Sequence, residues 1–337
     1  MAGRCALLVL AAACVACGTT GGAGGGGANL PNRGIVPYEV VTFVRGTRVS
    51  GWLYPPPVDP ALPAVRDPAA VVTAEGVALF AHVTTSDGAA LARADAPTGL
   101  DFGPFEPVLA ATPVDARAPA VTVDPASGRW HLLVTRDDGL YHGESADGRR
   151  FVLDEQPWVR PEGDEEAGGL GSASLVIVDG TAHVHYTALD ASEDARTVVR
   201  HVAGPPGGAL GRRTTVLVPG RDCLDVQGKP QACWDTAGVF DPEVRVARTA
   251  TGRRLYRMFY AGRRGEVAGL GFAASEAPDG AFSRYAYNPV LEDDKYGRTS
   301  PSNVRLDEAY LLYFAQPTAR PAVGVAENAV GVPSESF

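Results

Sequence analysis

The chain has 337 residues, 45% of them hydrophobic and 20% charged, a globular composition long enough for one large domain or two ordinary ones. The net charge of −9, with no basic run to offset it, argues against a nucleic-acid partner, whose phosphates call for a basic face. A neutral ligand such as a sugar is compatible with it, and the 40 Gly and 27 Pro suit many short strands joined by turns.

The first residues read as a processing signal. Arg4 supplies a positive start, residues 7–13 form an apolar run too short to span a bilayer, and small residues lead to Cys17-Gly18. This resembles the lipobox of bacterial lipoproteins. The resemblance implies cleavage after residue 16 and acylation of Cys17, with Cys14 as the alternative; a plain secretory signal is the other reading. Residues 18–28 are almost all Gly, Ala and Thr, a tether with a reach of about 17–20 Å. The expectation is an exported protein held at the bacterial cell envelope, touching membrane only through its anchor, over segments 1–16, 17–33 and 34–337.

Five openings then recur: Arg66-Asp67-Pro68, Arg117-Ala118-Pro119, Gly171-Ser172-Ala173, Phe240-Asp241-Pro242 and Thr299-Ser300-Pro301, spaced 51, 54, 69 and 59 residues apart. Each leads into an apolar run, a turn, and a second run at 77–83, 130–134, 182–186, 255–260 or 310–314. A third run follows in each unit. No stretch of 12 residues has a 3.6-residue period. Repetition at this period marks units that cannot bury their apolar faces alone. Four antiparallel strands repeated five times predict an all-β chain, a five-bladed β-propeller. The segment 35–52 has no repeat of its own and is expected to supply the outermost strand of the last blade.

Cys223 and Cys233 are the cysteines left after the signal, ten residues apart, and in an exported protein they predict a disulfide. His183 and His185 share a strand face but have no evident third ligand, so no metal or cofactor is expected. The acidic stretches 162–166 and 190–194 read as solvated loops.

In a propeller the openings ring a central pocket. Asp67 and Asp241 become axial carboxylates, and Glu243, two residues on, shares the face of Asp241. Arg66 and Arg117 recur beside openings and could bind hydroxyls or carboxylates, or pair with neighbouring acids. Trp158 and Trp234 fall in loops and could stack on sugar faces. Trp130 reads as core, and Trp52 and Tyr54 as rim.

The Asp-Pro openings, Gly turns, aromatic second strands and the turn at 275–282 resemble the five-bladed propellers of the arabinanase and furanosidase type, in glycoside hydrolase families 43, 62 and 32. The resemblance implies an Asp base in blade one, a tuning Asp in blade two and a Glu acid in blade three, because one carboxylic acid must protonate the leaving oxygen while a carboxylate activates water. Asp67 matches the base. Ala118 stands at the blade-two position and no acid lies near Gly171; Glu165 and Glu166 are just upstream. Three readings follow: a glycan-binding propeller without catalysis, a divergent inverting hydrolase using Asp67 with Asp241, Glu243 or Glu166, and a protein-interaction module. The expected state is a monomer.

Overall fold

The structure, a computed structural model, describes residues 48–54 and 64–328 apart from 87, 192–195, 222, 226, 228, 249–251, 266, 292–296, 307–308 and 317–320. The expected signal segment, Cys17, Cys14 and the tether lie outside the described residues.

Five four-stranded antiparallel sheets follow one another along the chain. Their innermost strands are Ala64–Thr73, Arg117–Val123, Leu170–Val178, Gly238–Arg248 and Thr299–Leu306. In blades one to four the strands run outward in chain order. In blade five the outermost strand is Arg48–Tyr54, paired antiparallel with Ala322–Asn328. The segment without a repeat thus closes the ring. The fold is the five-bladed β-propeller.

Each sheet is covered on both faces by its neighbours, which yields a separate apolar cluster at every blade interface. Phe80 and Leu91 of blade one meet Leu132 and Phe151 of blade two. Tyr186 and Val184 of blade three meet Leu133 and Leu140. Met258 and Tyr260 of blade four pack on Val176 and Val199, and Phe259 and Phe272 on Leu312 and Phe314 of blade five. Leu79 and Val77 meet Leu311 and Tyr313 across the closure. Burial on both faces makes the second strands read as continuous apolar runs rather than alternating ones; Gly76–Thr85 is buried through its first eight residues. Trp130 packs against the interface of blades one and two, in the core as its strand position predicts.

Cys223 and Cys233 form a disulfide, with Cys223–Leu224 and Pro230–Gln231 paired inside it. It staples the connection between blades three and four, with both cysteines buried.

Candidate functional site at the propeller axis

Four of the five openings use one backbone device. Asp67, Ala118, Asp241 and Ser300 have φ of 54°, 45°, 50° and 47°, and each stands directly before a proline. A pre-proline residue is pushed out of the right-handed helical region, and a bulge re-aims the side chain. The ladder shifts register at each of these places. Blade three bulges between Leu170 and Ala173 without the proline. The openings thereby converge on one axial cavity, lined by Asp67, Ala118, Ser172, Asp241, Glu243 and Ser300 together with adjoining Pro and Ala residues. Its volume is about 30 Å³, room for two or three waters at ~10–15 Å³ each in this measure. One ring substituent of a sugar can enter; a whole ring must sit above.

Ser300 joins the two aspartates. Its hydroxyl lies 3.3 Å from Asp67 Oδ1 and 3.2 Å from Asp241 Oδ2, so the two oxygens are at most about 6.5 Å apart. The Ser300 amide donates to Asp241 Oδ2 at 2.9 Å, and the Ser172 hydroxyl donates to Oδ1. The Asp67 carboxylate accepts the Ala118 amide, and Arg66 Nε stands 3.8 Å from it. Each carboxylate thus ties its own blade to the next. Burial raises the pKa of Asp67 against the pull of Arg66 and the Ala118 amide. Burial also raises Asp241, the Ser172 and Ser300 bonds oppose it, and the charge of Asp67 adds to the rise. Ser300 thus bridges the two carboxyl groups, and burial raises the proton affinity of both.

Glu243 lies one layer deeper. Arg245 Nη2 pairs with Glu243 Oε1 at 2.5 Å and also donates to the Ala70 carbonyl at 2.8 Å. Burial raises the Glu243 pKa while Arg245 pulls it down. Two serines stitch this layer to neighbouring blades: Ser302 Oγ accepts the Ala70 amide and Ser174 Oγ the Val244 amide, both at 2.8 Å.

Glu166 does not line the cavity. It closes the short 3-10 turn Asp164–Glu166 and is fully buried. One oxygen accepts from Tyr186 Oη at 2.6 Å and Arg200 Nη1 at 2.9 Å; the other accepts from the Glu162 amide and Arg213. It braces a loop on blade three and has no path to a ligand at the axis.

The other candidates are also occupied. Arg66 Nε donates to His82 Nδ1 at 3.1 Å beside Asp67, while Arg117 pairs with Asp137 at 2.8 Å and donates to the Asp115 carbonyl, and neither lines the cavity. Trp158 donates Nε1 to the Gly208 carbonyl at 2.7 Å and its ring lies 5.1 Å from His142. Trp234 packs over Gly262, Gly269 and Gly271, where a Cβ would come within 2.5–3.3 Å of its ring, and meets Tyr260 at 5.7 Å. Both indoles cover blade edges away from the axial cavity.

His183 hydrogen-bonds His201 across the ladder at 3.1 Å rather than acting with His185, whose Nε2 bonds the Pro278 carbonyl. His131 and His142 repeat the arrangement at 3.0 Å; both ring pairs have centroids 5.3 Å apart and planes 22° apart. Glu144 also has an oxygen within 4.8 Å of the His131 and His142 nitrogens. In each pair a ring nitrogen of one imidazole is hydrogen-bonded to a ring nitrogen of the other.

Ser172, Ser300 and Arg245 belong to the axial machinery alongside the acids. The alignment that selects Asp67 selects Ser300 as well, and Arg245 follows Glu243 by two residues on the same strand face.

No family model and no curated protein sequence matches the chain. Solved structures do. A thermostable family-43 glycoside hydrolase superposes with a TM-score of 0.60 at 15% identity, over 81% of this chain and 91% of that one. Another glycoside hydrolase gives 0.67 at 11% identity, over 90% and 98%. An α-L-arabinofuranosidase from Podospora anserina, solved with cellotriose, gives 0.58 at 12% identity, over 84% and 96%. The chain has the five-bladed propeller fold that glycoside hydrolases of families 43 and 62 carry.

Proposed function

We propose that this is an exported propeller, anchored to the bacterial cell envelope through Cys17, that binds carbohydrate at the axial mouth without family-43-type hydrolysis. The observation that carries the reading is the acid set at the mouth. Blades two, three and five present Ala118, Ser172 and Ser300, and the two aspartates are bridged by one serine. The carboxyl groups of inverting enzymes stand about 6.5–9.5 Å apart with water between them; here a serine hydroxyl, within 3.3 Å of Asp67 Oδ1 and 3.2 Å of Asp241 Oδ2, occupies the space between the two acids. The hydroxyls and carboxylates that are present suit hydrogen bonding to one sugar hydroxyl entering the cavity and displacing its waters.

A divergent hydrolase is the second reading, supported by the raised proton affinity of the same pair: one carboxyl group keeps a proton to donate and the other can accept one. One experiment separates the two. Arabinan, xylan and fructan oligosaccharides are titrated into the protein by calorimetry and then incubated for days with product analysis. Binding without released sugar, weakened by Asp241→Asn, supports the lectin-like reading. Released sugar that Asp67→Asn abolishes supports the hydrolase. No binding to any glycan in a broad array sinks both and leaves the interaction-module reading.

A further inference from the structure

Blade two carries a second cluster of ionisable side chains, none of which lines the axial cavity. His131 lies on the second strand, Trp130–Arg136, and His142 and Glu144 on the third, Gly139–Ser145. His131 stands directly opposite Glu144 in the antiparallel ladder, and Glu144 follows His142 by two residues. All three side chains therefore leave the same face of the sheet. His131 Nδ1 and His142 Nε2 are 3.0 Å apart, and Glu144 Oε1 is 3.9 Å from His131 Nδ1. One ligand atom from each residue lies within 4.8 Å of the other two.

The surroundings orient these atoms. The Asp154 carboxylate accepts from His142 Nδ1 at 3.2 Å. His142 thus carries its proton on Nδ1 and turns the Nε2 lone pair toward His131, the way an outer carboxylate fixes a metal-ligating imidazole. Arg129 holds the other Glu144 oxygen, Oε2, and leaves Oε1 on the histidine side. Both imidazoles are buried, while the Glu144 side chain is 37% exposed, so an ion has a way in past Glu144. Blade three supplies the contrast. His183 and His201 hold the same ladder positions, and Ala203 stands where blade two has Glu144. The His183–His185 spacing that stands out in the sequence marks the blade whose histidine pair has no carboxylate at that position.

We propose that His131 Nδ1, His142 Nε2 and Glu144 Oε1 together bind a zinc ion. Two imidazoles and one carboxylate are a donor set that Zn²⁺ takes, with a fourth position left to solvent. The two nitrogens need to part only slightly, since ligands about 2.0–2.1 Å from a tetrahedral centre lie about 3.3 Å from one another. The ion takes the place of the hydrogen bond between the rings, and the proton of that bond moves from His131 Nδ1 to His131 Nε2. The two nitrogen ligands disfavour Ca²⁺ and Mg²⁺, which take oxygen. The site shares no residue with the axial mouth and does not rest on carbohydrate binding there.

The full chain, without an affinity tag and stripped with EDTA, is titrated by calorimetry with Zn²⁺ alone and with Ca²⁺ and Mg²⁺ as controls. One Zn²⁺ binds per chain at micromolar concentration, and the controls do not compete. Zn²⁺ raises the melting temperature and EDTA reverses the rise. His142→Gln and Glu144→Gln each weaken zinc binding at least tenfold. His201→Gln and Asp241→Asn leave it unchanged, which separates the site from the blade-three pair and from the axial acids. If His142→Gln fails to fold, Glu144→Gln, at a half-exposed side chain, still gives the loss. The proposal is overturned if Zn²⁺ does not bind, if Glu144→Gln binds it as the wild type does, or if His201→Gln or Asp241→Asn abolishes the binding.

Discussion

Asp67 and Asp241, half-buried at the axis, and Glu166, fully buried in blade three, are all candidate acids from sequence, yet they are held in opposite ways. The axial pair is held by hydroxyls and amides, with Arg66 at 3.8 Å from Asp67 as a distant charge. Glu166 is held by two guanidiniums, a phenol and an amide. Neutral donors leave a buried carboxyl group able to keep or exchange a proton. Two close cations fix a carboxylate as a brace. The difference teaches that the counter-charge, more than burial or residue type, separates a group that can meet a ligand from one that holds the fold.

The largest effect should come from breaking the brace. Glu166→Gln leaves Arg200 and Arg213, with side chains 11% and 15% exposed, without their shared carboxylate. Removing one partner of a buried ion pair costs about 3–5 kcal/mol. Here the lower end, about 3 kcal/mol, is expected as the loss in urea-unfolding free energy, because Glu165 and Glu162 still pair with the two arginines at 3.2 and 3.1 Å. Glycan binding at the mouth should survive in whatever fraction remains folded. A stable Glu166→Gln protein that loses sugar binding would break the comparison.

Acid titration comes next, because buried histidines pull stability against the axial acids. Burial, then the charge of Arg66, lowers the His82 pKa to about 4; burial, then His183, lowers His201 to about 4. The unfolded chain binds these protons near pH 6.5 and the folded one does not. Stability from this source is therefore fully present above pH 6.5 and is lost as the pH falls toward 4, by about 3 kcal/mol per histidine at the low end. Asp67 and Asp241, raised in the folded state, act with the opposite sign: their contribution is present below pH 3.8 and is lost as the pH rises through their folded values. Urea midpoints between pH 4 and 8 should fall on the acid side, less so in His201→Gln; a midpoint that does not move from pH 7 to 4.5 would refute the assignment.

Much of this architecture was legible in the chain because its punctuation is physical. A left-handed residue before a proline, repeated at the opening of blades one, two, four and five, is a demand the backbone imposes on the sequence. The strand left without a repeat had one place to pair, at the open side of blade five. The side-chain roles were less legible, since they depend on partners far along the chain. Glu166 meets Arg200 and Arg213, 34 and 47 residues on, which no local pattern announces. Trp234 looked like an exposed platform because the glycines it covers lie on two other strands. Ser300 appeared in the repeat but not as a site, because its role exists only when Asp67, 233 residues away, is brought beside it.

A smaller effect sharpens the comparison from the axial side. Asp241→Asn keeps one oxygen to accept the Ser300 amide, turns the other into an amide nitrogen that can donate to the Ser172 hydroxyl, and removes the charge. At pH 4 its stability should lie within about 1 kcal/mol of wild type. As the pH rises to 8 the variant should gain on the wild type, since the wild type must ionise a carboxyl group that burial and Asp67 oppose. This is the reverse of the loss expected for Glu166→Gln. A variant that loses stability relative to wild type as the pH rises would show that the Asp241 charge is a brace as well.

The smallest effect concerns the opening that carries neither an acid nor a hydroxyl. Ala118 adopts the same φ as its neighbours, 45°, yet has no side chain to hydrogen-bond in return. A left-handed L-residue costs about 1–2 kcal/mol, and Asp tolerates the region better than Ala. Ala118→Gly removes that strain but adds about 0.5–1 kcal/mol of backbone entropy to be lost on folding, for a net gain of about 0.5 kcal/mol. The Ala118 amide still donates to Asp67, so the axial pair is untouched. A thermal shift upward by a degree or two fits this account. A loss instead would mean that the Ala118 methyl group, lining the cavity beside Asp67, contributes packing that outweighs its strain.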